Sequence, residues 1–506
     1  MAVSRPMMRR IRFLPIRRLT LSAGAAVAAI IIVGVLLRLY RFTAPILDQH
    51  AFRQTQTAST VWLWDRFGYS PFEYFVPMYG GGHWVLEFPW YQSIVYGLTL
   101  IFGFHEELGR VVSIAAFIAA AWLLYEIGRR LLGSRAAAVA SVGLFSFVPI
   151  SVLYFRTFLI DPLLIAVALA MFLAAIRLWE RFSWTWTAIF IGAFFVCTLG
   201  KANLIVIFGL PIAILLIRAV LKRSMPWTGL AVILGGMAVS VGALAAWTRH
   251  ADALNFPDNG MTFANMRWWF FGSSVFDVNL WHTVAGRALD NLTVAGVVLV
   301  GIGLVATVGL RSGHRAVIWA LVASNLASIA VFANLNRIHD YYQLPYYVTV
   351  TLLGGLGVWT IASLGLAFSR DRALQLAAGL LVGIALAWTT SLFSGGYFAD
   401  GAVNYAWQDQ GRELAASTPD RPMVLLADGA DPNEPMLFYE ARRIGWRVPT
   451  ADEAQARRRV AEAPDLGSIV IQKGAAGVPM WVQDLARTRG FRLTYDGPSF
   501  AVFSQP

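Results

Sequence analysis

The chain has 506 residues, of which 57% are hydrophobic and only 14% charged, where an ordinary soluble domain carries about 25% charge. So few charges cannot cover the surface of a water-soluble protein this size, which excludes a soluble cytoplasmic enzyme. The balance is basic, with a net charge of +12. No long cationic face survives outside the apolar runs, so the excess points to membrane topology and not to nucleic acid.

The charges are unevenly spread. Residues 1–400 hold 29 basic and 16 acidic side chains, and residues 401–506 hold 12 and 13. This predicts an α-helical polytopic region over 1–400 and a small soluble α/β domain over 401–506. At the start, Arg5, Arg9, Arg10, Arg12, Arg17 and Arg18 precede the apolar run Leu19–Leu37. No small-residue cleavage site follows, so the run reads as a retained signal anchor with its basic flank in the cytoplasm.

A spanning helix needs about 20 mostly apolar residues. Segments near 19–37, 109–131, 136–155, 161–179, 184–200, 202–220, 227–247, 291–310, 315–333, 343–367 and 373–394 qualify, which makes eleven. Trp90–Phe104 is apolar but bounded by Pro89 and by His105-Glu106-Glu107. If it crossed, the clusters from Arg129 to Arg223 would lie outside; the positive-inside rule therefore makes it interfacial or re-entrant. The N-terminus is then cytoplasmic and the C-terminal domain extracytoplasmic. Two long segments fall outside, 38–108 and 248–290, the second with a surface helix at Met266–Phe271. The single cysteine, Cys197, excludes disulfides, iron–sulfur clusters and thiolate zinc sites.

In the tail, strands are expected at Met423–Ala427, Ser468–Gln472, Arg492–Tyr495 and Phe500–Phe503, and helices at Glu434–Arg443 and Pro479–Arg489. The tail has no G-x-G-x-x-G and no phosphate loop, so nucleotide binding has no support there.

Residues able to carry chemistry gather at the outer side. Leu47–Thr57 follows the first span directly, and as a helix it places His50, Arg53, Gln54 and Thr57 on one stripe. Asp48 reads either as a reactive acid or as a helix N-cap after Pro45. Glu87, in Glu87-Phe88-Pro89, and Asp161, in Asp161-Pro162, have the same bland alternative, acids at helix starts. Arg156 lies five residues before Asp161 and is a natural counter-charge. Three carboxylates at one face of a charge-poor bundle nevertheless suggest a functional site. The basic and aromatic partners on offer are Lys201, Arg337, His339, Tyr341 and Tyr342. The histidines have no zinc-ligand spacing, and no G-x-S-x-G elbow supports a serine nucleophile.

These residues resemble the GT-C superfamily of integral membrane glycosyltransferases, in the branch of the dolichyl-phosphate-mannose protein mannosyltransferases and the lipid A aminoarabinose transferases. Asp48 looks like the family's catalytic acid, in a long outer loop bearing two interfacial helices. Glu87-Phe88-Pro89, Asp161, His339–Pro345 and the tail's Tyr439–Trp446 also match. One departure is that Arg53 sits five residues after Asp48 with His50 between, so the acceptor class does not carry over. The resemblance implies a polyprenyl-phosphate sugar donor, a glycan, lipid or protein acceptor, and inversion in one displacement in the cytoplasmic (inner) membrane. Asp48, Glu87 and Asp161 would be catalytic. His50, Arg53, Arg156, Lys201, Arg337, His339, Tyr341 and Tyr342 would bind substrate. The resemblance makes no cofactor certain and leaves a divalent metal possible near Asp48 and Asp161. A lipid-linked sugar transporter and a non-catalytic assembly subunit are the rival readings.

Overall fold

The computed structural model describes residues 22–262, 273–429, 431, 433–474 and 478–505. The N-terminal arginine cluster and the expected surface helix at Met266–Phe271 lie outside these residues. Helix α1 (Ala23–Arg38) fills the first expected span, and the long loop after it folds into α2 (Ala51–Phe67) and α3 (Trp90–Phe102). Then come α4 (Glu106–Leu131), α5 (Arg135–Phe147), the short α6 (Pro149–Tyr154), α7 (Asp161–Glu180), α8 (Trp184–Gly200), α9 (Asn203–Leu221) and α10 (Trp227–Asn259). Helices α11 (Val278–Ala306), α12 (Ser312–Val331), the short α13 (Ala333–Ile338), α14 (Tyr346–Ser363) and α15 (Arg370–Ser394) complete the apolar part. Each expected span overlaps helix among the described residues. Eight described helices are long and apolar enough to cross a membrane, and α1, α5 and α8 are apolar but shorter.

Three details differ from the sequence reading. The span expected at 136–155 is split, because Val148 turns extended (ψ 129) and Pro149 begins a new helix, where its ring cannot continue the ladder. The outer segment 248–290 is mostly helix, since α10 runs on to Asn259 and α11 starts at Val278. Helix α2 does not lie with one face open, because every residue from Gln54 to Trp64 is buried. Helix α3, at 13 residues, reaches about 20 Å and is too short for a bilayer core of about 30 Å. Within the bundle α11 and α14 touch backbone to backbone. A Cβ on Gly303 would lie 1.8 Å from the Leu353 carbonyl oxygen, and one on Gly357 would lie 2.0 Å from that of Leu299. Small residues at such crossings let helices approach closely in lipid.

The tail contains α16 (Tyr405–Ser417), β1 (Met423–Ala427), α17 (Met436–Ala441), β2 (Gly445–Pro449), α18 (Glu453–Glu462), β3 (Ser468–Gln472), α19 (Met480–Thr488), β4 (Arg492–Asp496) and β5 (Phe500–Ser504). The strand order is β2-β1-β3-β5-β4, with β1 parallel to β2 and β3 and β5 antiparallel to β3 and β4. Alternation splits the strands between two layers. Val424, Leu426, Ile469 and Ile471 pack on α18 and α19. Met423, Leu425, Val470 and Val502 face α16 and α17, together with Val76, Met78 and Trp84 of the first loop. Strand β2 and helix α18 are absent from the sequence reading. The expected helix 434–443 shrinks because Arg442 adopts a left-handed conformation (φ 52) that ends it.

The tail is therefore built onto the loop. Gly80 N–H donates to the Gly445 carbonyl at 2.8 Å, and Gly445 N–H donates to that of Pro77 at 2.9 Å. Gly80 has φ +73, and any Cβ there would run into the Trp446 ring. Tyr439 Oη donates to Glu106 Oε1 at 3.0 Å, and the Arg442 guanidinium lies over Tyr439 at 4.0 Å and Phe104 at 5.0 Å.

Candidate active site

Helix α2 starts at Ala51, and its N-cap is His50, whose side chain caps nothing and whose φ is 56. Asp48 thus lies ahead of the helix and does not play the capping part open to it. Its carboxylate instead accepts from the amide of Gln54. That amide nitrogen also donates to the Gln49 carbonyl at 2.9 Å, and the Gln54 oxygen accepts from Phe158 N–H at 3.0 Å. Fully buried Gln54 thereby ties the Asp48 loop to the loop between α6 and α7.

Each of the other two acids holds a cation. Glu87 is ion-paired with Arg53, which also donates to Gln56 at 2.7 Å. The Glu87 backbone is fixed by Tyr74, whose hydroxyl donates to the Glu87 carbonyl at 2.9 Å while accepting from Leu86 N–H at 2.7 Å. Burial opposes the Arg53 charge, but Glu87 and the neighbouring tyrosines outweigh it and raise the pKa above its ordinary value. Asp161, the first residue of α7 with Pro162 behind it, is ion-paired with Lys201 just past α8. The two pairs are linked, since Phe88 N–H donates to the Leu199 carbonyl at 2.9 Å. The Lys201 ammonium sits 4.3 Å from the Tyr342 ring centre and 4.9 Å from that of Tyr341.

His50, His339, Tyr341 and Tyr342 close the group. The His50 ring centre is 5.0 Å from Tyr341 and 5.6 Å from His339, which stacks on Tyr341 at 5.1 Å. His50 Nε2 is 2.6 Å from Asp340 Oδ1, an acid that also accepts from Tyr154 and, at 3.2 Å, from Tyr397. Burial pushes the Asp340 carboxyl up, but its bonds to His50 and Tyr154 and the charges of His50 and Arg287 hold it below the usual value. His339 goes the other way: burial and the charges of His50, Arg53 and Lys201 lower it to about 4. It is neutral at pH 7 and can offer a hydrogen bond but no charge.

Two of the eleven expected site residues stand apart. Arg156 donates to the Arg41 carbonyl at 3.1 Å and lies over Phe398 at 4.8 Å. Burial lowers it to about 10, against support from Asp48, so it stays charged beside the Asp48 loop. Arg337 is nearly half exposed and reaches Asp277 at 3.4 Å, outside the ring of tyrosines. Asp340, Tyr154 and Tyr397 are not singled out by the sequence reading, although Asp340 sits inside the matched His339–Pro345 stretch, and Gln54 is read there only as part of a polar stripe. Among the described residues no group of three or more His, Cys, Asp or Glu is placed to hold a metal ion. Asp48 and Asp161, the acids expected to leave room for a divalent ion, are engaged by Gln54 and Lys201.

A charge-poor helical bundle, a long loop carrying two helices and two of the three acids, and an α/β cap together make a multi-pass membrane protein. Residues 87–241 match the model of the family described as dolichyl-phosphate-mannose-protein mannosyltransferase. The structure is similar to ArnT from Cupriavidus metallidurans bound to undecaprenyl phosphate, with a TM-score of 0.61 at 14% identity over 96% of this chain and 98% of that one. The apo state of the same protein gives 0.62 at 13% identity, covering 95% and 98%. The archaeal oligosaccharyltransferase AglB from Archaeoglobus fulgidus, solved with an inhibitory peptide and a dolichol-phosphate, gives 0.53 at 12% identity over 88% of this chain and 69% of that one. No curated protein matches the chain.

Proposed function

We propose that the protein transfers a sugar from a polyprenyl-phosphate donor to an acceptor hydroxyl at the extracytoplasmic face of the cytoplasmic membrane, with the N-terminus inside and the tail outside. The observation that carries this reading is the pair of cations, Arg53 and Lys201, each held by one acid and both set against Tyr341 and Tyr342. Two preorganised positive groups of this kind suit a lipid phosphate whose charge grows as it leaves. The matched fold, seen elsewhere with lipid phosphates bound, agrees with it.

In this mechanism the acceptor oxygen forms a bond to the anomeric carbon as the bond from that carbon to the phosphate oxygen breaks. The proton passes to Asp48 and the electron pair leaves with the polyprenyl phosphate. Asp48 suits the role because it is half-buried and oriented by Gln54. Glu87 and Asp161 act by holding Arg53 and Lys201 in place, and His50, His339, Tyr341 and Tyr342 wall the site. One displacement inverts the centre; hexose and pentose donors both fit the reading. A transporter would carry ionisable groups near the middle of its spans, whereas here they gather at the end that bears the tail.

The test is incubation of the purified chain in nanodiscs with a panel of radiolabelled polyprenyl-phosphate sugars and membrane extracts as acceptor. Transfer of label that is lost in Lys201→Ala supports the reading. Absence of transfer from every donor, with the protein folded, rejects it.

A further inference from the structure

Behind the His50–Asp340 pair lies a second cavity, of about 520 Å3, whose wall includes Gln49, Asp290, Asn291, Ser391, Gly395 and Tyr397. It adjoins the site through Asp340. Tyr397 donates to that carboxylate at 3.2 Å, and the Gln49 amide nitrogen lies 3.5 Å from the same oxygen. Gln49 also follows Asp48 directly in the chain, so the cavity wall and the base share one loop.

Its wall is shaped by an unusual backbone. Helix α11 is interrupted at Thr293, with φ 56 and ψ 171, a conformation that β-branched residues rarely adopt. The break is held on both sides. Trp388 Nε1 donates to the Leu292 carbonyl at 3.0 Å, and Asn291 accepts from Ile150 N–H at 2.8 Å while donating to the Arg287 carbonyl at 2.8 Å. Asp290, one residue before Asn291, is left exposed at the cavity with no hydrogen bond or ion pair among the described residues. Across from it a Cβ on Gly395 would meet nothing within 4 Å, so the space there is open, while one on Gly396 would overlap the Ser391 carbonyl at 2.6 Å.

The chemistry of this wall selects a ligand class. It offers a free carboxylate, two amides, hydroxyls and one aromatic ring, and no lysine or arginine. Such a set accepts and donates hydrogen bonds to a neutral, hydroxyl-rich ring, whereas to a phosphate it offers no positive charge and sets the Asp290 carboxylate against it. The volume falls in the range of about 300–1,000 Å3 typical of small-molecule sites. We propose that the cavity is a sugar subsite, in which Asp290 and Gln49 bind ring hydroxyls and Tyr397 supplies an apolar face. The proposal rests on the sugar-transfer reading above and deepens it. The sugar held there is either the donor's or the acceptor's.

The experiment uses the full chain in nanodiscs and a panel of methyl hexosides and pentosides as probes, with saturation-transfer NMR as readout. Two variants are compared, Asp290→Asn, which removes the charge at an exposed position, and Gly395→Leu, which fills open space at an extended φ of 174. At least one glycoside should receive saturation in the wild type, and its affinity should fall about tenfold in each variant, the worth of one or two lost polar contacts. Displacement of the glycoside by a polyprenyl-phosphate hexose, and not by bare polyprenyl phosphate, marks the donor's sugar; displacement by neither marks the acceptor's. No saturation of any glycoside in the wild type, or undiminished saturation in both variants, overturns the subsite. Turnover on the same samples separates the two levels. A chain that binds glycosides in the cavity but transfers no label loses the transfer reading, and one that transfers normally in both variants loses the subsite.

Discussion

Asp48→Asn isolates the proposed base with little disturbance to the fold. The asparagine side chain keeps the shape, and its oxygen still accepts from the Gln54 amide as the carboxylate does. The bond that starts α2, from Ala51 N–H to the Asp48 main-chain carbonyl at 3.0 Å, is untouched. What is lost is a half-exposed charge facing Arg156, worth about 0–1 kcal/mol. Turnover behaves differently. An amide cannot take the acceptor's proton, so the rate should fall about 10²–10⁴-fold, or about 3–5 kcal/mol in the barrier. Donor affinity should be nearly unchanged, because Arg53 and Lys201 remain. Thermal midpoint, lipid-phosphate binding and label transfer measured on one preparation separate these terms. A folded Asp48→Asn protein that turns over like the wild type refutes the assignment. Asp161→Asn cannot replace this experiment, since it strands a Lys201 side chain that is only 9% exposed, at a cost of about 3–5 kcal/mol.

Glu440 packs under the tail beside Glu106, and burial together with that neighbour raises it to about 7. A carboxyl raised in the folded state favours folding at low pH and loses that advantage as pH rises from about 4.3 through about 7. Glu440→Gln should therefore raise the thermal midpoint more at pH 8 than at pH 5, and equal effects at the two pH values would count against the assignment. Gly357→Val should prevent stable folding, because its side chain would overlap the Leu299 carbonyl; monodisperse protein at wild-type yield after detergent extraction would contradict the close helix contact. A reporter active only in the cytoplasm, fused after residue 400, should stay dark; a bright fusion reverses the proposed orientation.

Much of this site can be read from residue order, and the reasons are physical. Spans announce themselves because lipid demands unbroken apolar runs, so each expected one overlaps helix among the described residues. Asp48, Glu87 and Asp161 stand out because acids are scarce in such a chain. Their meaning in the fold cannot be read, since whether Asp161 is a free acid or the keeper of Lys201 depends on two helix ends meeting. Asp340 escapes for the opposite reason: beside a histidine and two tyrosines it resembles ordinary interfacial polarity, and only Tyr154 and Tyr397, distant in sequence, reveal it as a hub. The burial of α2 is equally invisible, because its cover combines α3, the ends of α8 and α10, and α17 from beyond residue 400. Pro149, by contrast, is a readable break inside 136–155 that the hydropathy of its surroundings masks.

The edge where Pro77–Gly80 meets Gly445 has a consequence for biosynthesis. Val76, Met78 and Trp84 share one apolar cluster with the tail sheet and its helices, which supply most of their cover. About 340 residues separate Trp84 from the first strand of that sheet, and chains are made at about 5–20 residues per second, so the loop waits roughly 20–70 s for its cover. Throughout that interval an apolar surface and an unpaired main-chain edge stand open beside the newly inserted helices. Folding of this loop is thus timed by the arrival of the sheet, and a ribosome stalled before Met423 leaves the Pro77–Trp84 segment without its roof.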